Sequence, residues 1–169
     1  TGYSPTPTEI DGIVDRLKKV ADTGVDLLVI ADDAYFGLFF EEEVAKESIF
    51  ASLTGAHERI LPFKVDGATK EDFAWGLRVG FLTFANPSFT DAHIDALEQK
   101  LIGSLRAIVS NSSNLSQNLV LKVMNDPGYE QQKEKAREVL RQRYVTIKNW
   151  LSEKAPLHKE SPLEPLPFN

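Results

Sequence analysis

The stretch "VDLLVIA", residues 25–31, decides the fold class of this chain. It is a continuous apolar run with β-branched residues, which suits a strand buried on both faces of a parallel sheet. Before it, "TPTE" predicts a helix that begins with a capping box, in which Thr6 is the N-cap, Pro7 is the first helical residue and Glu9 reaches back to the cap. Helix-spaced apolar residues continue to Gly24. A helix, a short loop and a buried strand in this order predict an α/β fold.

The rest of the chain adds two strands and several helices to this unit. The strands are predicted at residues 59–65 ("RILPFKV") and 78–85 ("RVGFLTFA"), and the helices near residues 48–53, 90–108, 115–124 and 129–154. The last helix is expected to bury one stripe, formed by Ala136, Val139, Leu140, Tyr144, Ile147, Trp150 and Leu151. The proline-rich tail "APLHKESPLEPLPFN" is expected to be extended. Three strands are few for a sheet covered on both faces, so we expect part of a larger, mostly parallel sheet flanked by helices.

The composition narrows the class of protein and its partners. The chain of 169 residues is 42% hydrophobic and 26% charged, with a net charge of −6 that argues against a general affinity for nucleic acid or anionic membranes. It has no cysteine, so disulfides, thiolate metal sites and cysteine nucleophiles are excluded from it. No apolar run approaches the roughly 20 residues of a membrane helix, and the N-terminus lacks a signal-peptide pattern. We therefore expect a soluble, cytoplasmic protein.

Chemically active side chains follow the first two predicted strands. In open α/β sheets, ligands bind outside the carboxyl ends of the strands. If the two strands are parallel neighbours, Asp32 or Asp33, Tyr35, Thr69 and Lys70 point into one crevice. The connection between the strands is long enough for a crossover.

This set of groups suits pyridoxal phosphate. A lysine amine can form a Schiff base, and a carboxylate can hold the pyridinium nitrogen protonated. A phenol can hydrogen-bond the ring oxygen, and an arginine fork such as that of Arg78 suits a phosphate dianion. The spacing supplies candidates for these roles but does not by itself name the cofactor.

Two segments carry a resemblance to a known family. "VIADDAYFGLFF", residues 29–40, resembles the Asp-x-x-Tyr segment of class I/II (fold-type I) aminotransferases. "GATKEDFAWGLRVGF" is similar to their lysine segment, in which a hydroxyl residue precedes the lysine and Gly-x-Arg-x-Gly follows it. The resemblance implies these roles: Asp32 as the partner of the pyridine nitrogen, Tyr35 as that of the ring oxygen, Lys70 as Schiff-base lysine and proton shuttle, Arg78 as phosphate ligand and Thr69 as a further phosphate contact.

The resemblance also implies a fragment of a longer enzyme. The family often has serine three residues before the lysine, where this chain has Gly67, so a phosphate hydroxyl is missing or comes from Thr69. We expect residues 1–125 to be part of the pyridoxal-phosphate-binding large domain, and residues 126–169 to be the linker helix and the start of the C-terminal region. The family's substrate-carboxylate arginine and glycine-rich phosphate turn are not found in this chain. The implied protein is a homodimeric aminotransferase that uses pyridoxal 5'-phosphate, an amino acid and a 2-oxo acid, and the fragment alone is expected to be inactive.

Several alternatives stay open. Another fold-type I reaction, C–S lysis or decarboxylation, would use the same cofactor residues, and a non-catalytic interaction module would use none of them. The family offset from Tyr35 favours Asp32 over Asp33, which then reads as a turn or capping residue. Other charged groups are interpreted as ordinary surface residues: Lys64 at a sheet margin, the loop run Glu41 to Glu43 in solvent, Arg106 on a helix surface, Arg137 and Arg141 paired with Glu134 and Glu138, and His57, His93 and His158 too scattered for a zinc site.

Overall fold

The computed structural model describes residues 3–154. Along the chain the elements are α1 (Pro7–Ala21), β1 (Leu27–Asp32), α2 (Ile49–Leu53), β2 (Ile60–Asp66), α3 (Ala68–Glu71), β3 (Phe81–Phe84), α4 (Asp91–Ile108), α5 (Asn114–Met124) and α6 (Tyr129–Lys154). The predicted α/β fold with a long last helix is therefore confirmed. The predicted extended tail lies outside the described residues. None of the described helices combines the length and the apolar character needed to cross a membrane.

The three described strands form one sheet in the order β1-β2-β3. β1 and β2 are parallel, with Asp32 opposite Val65, whereas β2 and β3 are antiparallel. The sheet is therefore mixed, and the parallel pair places the ends of β1 and β2 at the same edge. β3 begins at Phe81, later than predicted, because the residues before it form a turn in which Arg78 has a positive φ of 55°.

The first helix begins as its sequence predicts. The Thr6 hydroxyl accepts a hydrogen bond from the Glu9 amide, and the Glu9 carboxylate accepts one from the Thr6 amide. α1 then packs with α2 against one face of the sheet, where Ala21, Leu53 and Ile60 form a buried cluster. This cluster is the main core of the described chain and fixes the strands that carry the candidate site.

The opposite face of the sheet is exposed, which corrects the prediction of a strand buried on both faces. Leu28 and Ile30 of β1 are 61% and 62% exposed, and Val65 and Leu82 continue the same face on the neighbouring strands. The predicted stripe of α6 is also only partly covered. Its members Val139, Ile147 and Trp150 are exposed, whereas Ala136, Leu140, Tyr144 and Leu151 are half-buried. The described elements therefore leave one predicted face of the sheet and part of the predicted stripe of α6 uncovered.

Candidate active site

The end of β1 leads into a tight turn that presents Tyr35. The Asp33 amide donates to the Val65 carbonyl at 2.8 Å, which extends the parallel ladder by one residue. The Asp32 carboxylate then accepts a hydrogen bond from the Ala34 amide at 3.2 Å, and the Phe36 amide donates to the Asp33 carbonyl at 2.9 Å. These bonds close the turn at its first residues. Tyr35 is therefore held at the strand end, where the residue is 63% exposed.

The end of β2 leads into the turn that carries Lys70. α3 follows Gly67 directly, and Lys70 is its half-buried third residue. The Lys70 ammonium nitrogen lies 4.6 Å from the centroid of the Tyr35 ring. A cation at this distance from a phenol ring is attracted by the ring's quadrupole. The parallel pairing thus brings together a lysine and a tyrosine that are 35 residues apart in sequence.

Arg78 and Thr69 share an open cleft with Lys70. This lysine cleft has a volume of about 290 Å³ and is also lined by Asp66 and Gly67. Arg78 reaches it from a left-handed backbone conformation, φ 55°, and its guanidinium donates a 3.4 Å hydrogen bond to the Trp75 carbonyl. Backbone conformations of this kind are costly for residues with a β-carbon and cluster at functional sites.

Gly67 has a structural reason to replace the family's serine. A β-carbon built at Gly67 would lie 2.6 Å from the Val79 carbonyl oxygen and 2.9 Å from the Gly80 α-carbon. Both neighbours are backbone atoms, so this backbone admits no larger residue without moving the strand end. Thr69, which lines the lysine cleft, is the hydroxyl available there.

Asp32 and Asp33 line a second cavity, of about 580 Å³, together with Tyr35. The Asp32 side chain is exposed, whereas the Asp33 oxygen Oδ2 is buried without a hydrogen-bond partner. Unpartnered buried carboxylate oxygens are rare and costly. The turn is capped by the Asp32 side chain, and Asp33 contributes its backbone, so the structure divides the expected turn role between the two. Tyr35 lines this cavity and contacts Lys70, which joins it to the lysine cleft.

Lys64 is closer to the site than its sequence position suggested. Its ammonium group pairs with Asp66, which lines the lysine cleft, and lies 5.9 Å from the centroid of the Phe36 ring. The hydrogen bond to Asp66 raises the pKa of Lys64, burial opposes this, and the negative charges of Asp66, Asp33 and Glu71 add to the rise. Lys64 is therefore held as a cation beside the candidate site.

The donor set fits a small anionic ring compound with an aldehyde. Arg78 and Thr69 supply a cation and a hydroxyl at one end, Lys70 an amine in the middle, and Asp32 a carboxylate beyond Tyr35. A guanidinium suits a phosphate, and a carboxylate suits a protonated pyridine nitrogen. The residues that line the two cavities thus match the groups of pyridoxal phosphate in chemical kind.

The remaining predicted surface residues behave in two ways. Arg141 forms a close ion pair with Glu138, at 2.6 Å, and Arg137 a looser one with Glu134, at 4.0 Å, which confirms the predicted surface pairing. Arg106 donates a hydrogen bond to the hydroxyl of Ser110, two residues after the end of α4. Glu41, expected in solvent, instead accepts hydrogen bonds from two residues of α6, Tyr144 and Lys148.

A further cluster was missed by sequence reasoning. Tyr129 and Lys133 of α6 both donate to the carboxylate of Asp72, which lies two residues after Lys70. The signal that could have found it is a repeated spacing, because Tyr-x-x-x-Lys occurs twice on α6, at residues 129–133 and 144–148. Tyrosine and lysine four apart lie on one helix face and can reach one carboxylate together.

Comparison with known proteins identifies the family of this chain. The family model "Aminotransferase class I and II" matches residues 1–164. The chain belongs to this family. Its members generally depend on pyridoxal phosphate, which the donor set of the two cavities fits.

Solved structures share the fold at low sequence identity. An aminotransferase from Anaerococcus prevotii DSM 20548 is similar with a TM-score of 0.74 and 23% identity, over 99% of this chain and 40% of that one. An aromatic aminotransferase from Pyrococcus horikoshii OT3 is similar with a TM-score of 0.68 and 24% identity, over 90% and 36%. The chain therefore spans well under half the length of these structures. Among curated protein sequences, the comparison found no significant match.

Proposed function

We propose that the full-length protein carrying this chain is an aminotransferase that moves an amino group between an amino acid and a 2-oxo acid with pyridoxal phosphate. The observation that carries the proposal is the contact between Lys70 and Tyr35 at the shared edge of two parallel strands, where the Lys70 Nζ lies 4.6 Å from the centroid of the Tyr35 ring. Arg78 and Thr69 lie beside Lys70 in one cleft. Membership of the class I and II family supports the same activity.

Each residue then has a role that its position supports. Arg78 and Thr69 bind the phosphate, and Asp32 keeps a proton on the ring nitrogen. When bound, the cofactor supplies an electron sink for negative charge at the substrate carbon. Lys70 carries the proton from that substrate carbon on its Nζ. The Tyr35 hydroxyl hydrogen-bonds the oxygen of the cofactor ring. Asp32 is preferred to Asp33 for the ring nitrogen because Asp32 is the more exposed of the two residues and the Asp33 Oδ2 is buried.

The assembly and domain organisation belong to the same proposal. We infer a homodimer, as is common in the family, and an isolated 169-residue chain that is not competent for transamination. The division into residues 1–125 and 126–169 and the cytoplasmic location stay predictions. α6 lies after this boundary and contacts Glu41 and Asp72 before it, so the two parts pack together across the proposed division.

Labelling of Lys70 tests the proposal. Pyridoxal phosphate is added to this chain and to the full-length protein, the mixture is reduced with borohydride, and the peptides are mapped. The adduct is expected on Lys70 in the full-length protein and is expected to disappear in Lys70→Arg. Lys64→Arg is the matched control, because Lys64 is a neighbouring amine already paired with Asp66, and its adduct should remain on Lys70.

Two results would contradict the assignment. An adduct spread over several lysines, or one that survives Lys70→Arg, would mean that the cleft does not select the cofactor.

Where Lys70 is labelled, a screen of amino acids for 2-oxo acid, carbon dioxide or thiol release separates transamination from decarboxylation and C–S lysis. No labelling of Lys70 in either protein would favour the interaction module.

A further inference from the structure

α6 holds both loops of the candidate site by the same device. At its first turn, Tyr129 and Lys133 donate to the Asp72 carboxylate, Lys133 at 2.9 Å. Fifteen residues later, Tyr144 and Lys148 donate to the Glu41 carboxylate. We call these two sets of hydrogen bonds, at Asp72 and at Glu41, the first and the second grip. At 1.5 Å per residue, the two tyrosines are about 22 Å apart along the helix, and their directions differ by about 60°. Both grips therefore lie on neighbouring parts of one helix face.

The first grip is attached to the Lys70 turn. Asp72 is only 9% exposed, and Lys133 also reaches Glu71 at 3.3 Å and the Tyr129 hydroxyl at 3.2 Å. Burial alone would lower the pKa of Lys133, but the hydrogen bonds to Asp72 and Tyr129 and the two negative charges raise it well above its ordinary value. Breaking the hydrogen bonds of a buried carboxylate that accepts from an ammonium and a phenol costs free energy, because the carboxylate is left without partners. The two residues after Lys70 are therefore tied to α6.

The second grip is attached to the loop that follows Tyr35. The Glu41 carboxylate accepts hydrogen bonds from Tyr144 and Lys148. Both bonds lower the pKa of Glu41, and the bond from Lys148 is the larger cause. The adjacent ring of Phe40 lies 5.4 Å from the Tyr144 ring, centroid to centroid. Between the two grips, Arg137 donates to the Phe39 carbonyl at 3.3 Å. The Tyr35 loop is therefore tied to α6 at three consecutive residues.

We propose that α6 acts as a two-point clamp that sets the contact between Lys70 and Tyr35, with Tyr129 and Lys133 holding one loop and Tyr144 and Lys148 the other. The proposal rests on the function proposed above, because the clamp matters for catalysis if these two residues meet the cofactor. All four α6 residues are positioning residues, since they act through Asp72 and Glu41. The sheet fixes the ends of β1 and β2, hydrogen bonds within the turn fix the first residues after β1, and the clamp fixes the loops beyond them.

An NMR chemical shift that reports the Lys70–Tyr35 contact tests the clamp without cofactor. Lysine labelled with ¹³C at the ε-carbon is incorporated into the full-length protein, and the Lys70 signal is assigned by Lys70→Arg. Because the Lys70 ammonium lies over the Tyr35 ring, this signal carries a ring-current shift that Tyr35→Leu removes. The shift is expected to be lost in Lys133→Met and in Lys148→Met and kept in Lys133→Arg and Lys148→Arg. Lys135→Met, an exposed lysine on the same helix, is the matched control and should leave the shift unchanged.

The outcomes separate the clamp from the proposed activity. A Lys70 signal that keeps its shift in either methionine variant overturns the clamp. If a methionine variant loses its circular dichroism signal, Tyr129→Phe and Tyr144→Phe, which remove one hydroxyl each, are judged by the same criterion. A shift lost as expected in a protein that pyridoxal phosphate does not label would support the clamp and reject the aminotransferase, since the chemical shift needs no cofactor.

Discussion

At the scale of the residue, the candidate site combines an unusual backbone conformation with a buried carboxylate oxygen that has no hydrogen-bond partner. Arg78 adopts a left-handed conformation, and Gly67 leaves no room for a β-carbon between β2 and the segment before β3. Asp33 buries a carboxylate oxygen without a partner. The left-handed Arg78 and the unpaired Asp33 oxygen each cost stability, and all three residues lie in or beside the turns that carry Tyr35 and Lys70. Such costs are maintained where geometry serves a function.

Arg78 offers a test that separates backbone strain from ligand binding. Arg78→Gly removes a left-handed β-carbon, which costs roughly 1–2 kcal/mol, and adds unfolded-state entropy, so the free energy of unfolding is expected to stay level or to rise by up to about 1 kcal/mol. Arg78→Ala keeps the strain. Both variants lose the guanidinium, so binding of pyridoxal phosphate should weaken by about 10- to 100-fold, which corresponds to a charge-assisted hydrogen bond.

The measurements are denaturant unfolding of each variant and titration of the full-length protein with two ligands. Pyridoxal lacks the phosphate, so its affinity should be nearly the same in wild type, Arg78→Gly and Arg78→Ala. Equal losses for pyridoxal and pyridoxal phosphate would mean that Arg78 shapes the cleft and does not bind the phosphate.

At the scale of the element, local patterns predicted what each segment becomes but not what covers it. The capping box of α1 and the start of α6 were predicted because caps and breaks are written in neighbouring residues. Glu41 was interpreted as a solvated loop residue, yet its partner Tyr144 lies 103 residues away. Likewise, periodicity identified the apolar face of α6 but could not reveal that Val139 and Trp150 remain exposed. Contacts across such distances depend on the tertiary fold and leave no local signal.

The Glu41 grip predicts an acid-sensitive attachment of α6. Because Lys148 and Tyr144 lower the pKa of Glu41 below its ordinary 4.5, this carboxylate stabilises the fold above pH 4.5 and loses that contribution as the pH falls through its lowered pKa. Glu41→Gln should remove the contribution at neutral pH and flatten the stability profile below pH 4.5. Urea unfolding from pH 3 to 7, compared with the neighbouring loop variant Glu42→Gln, measures the difference. Parallel profiles for wild type and Glu41→Gln would show that Glu41 does not contribute.

At the scale of the whole molecule, one face of the sheet is packed against helices and the other is exposed within the described residues. α1 and α2 cover one face of the sheet, whereas Leu28, Ile30, Val65 and Leu82 remain exposed on the other. Exposed apolar patches of this kind mark surfaces that another element or partner covers. Because the chain spans only 35–40% of the similar structures, we expect the rest of the full-length protein to supply that cover.

A single substitution on this face should therefore have different effects in the two proteins. In the isolated chain Ile30 is 62% exposed, so Ile30→Ala should change the free energy of unfolding by less than about 0.5 kcal/mol. In the full-length protein the same change should cost about 2–5 kcal/mol, because it would remove buried methyl groups. Leu53→Ala is the matched control, since Leu53 is fully buried in the chain already and should be costly in both. Equal, small effects of Ile30→Ala in both proteins would mean that this face stays open to solvent in the full-length protein as well.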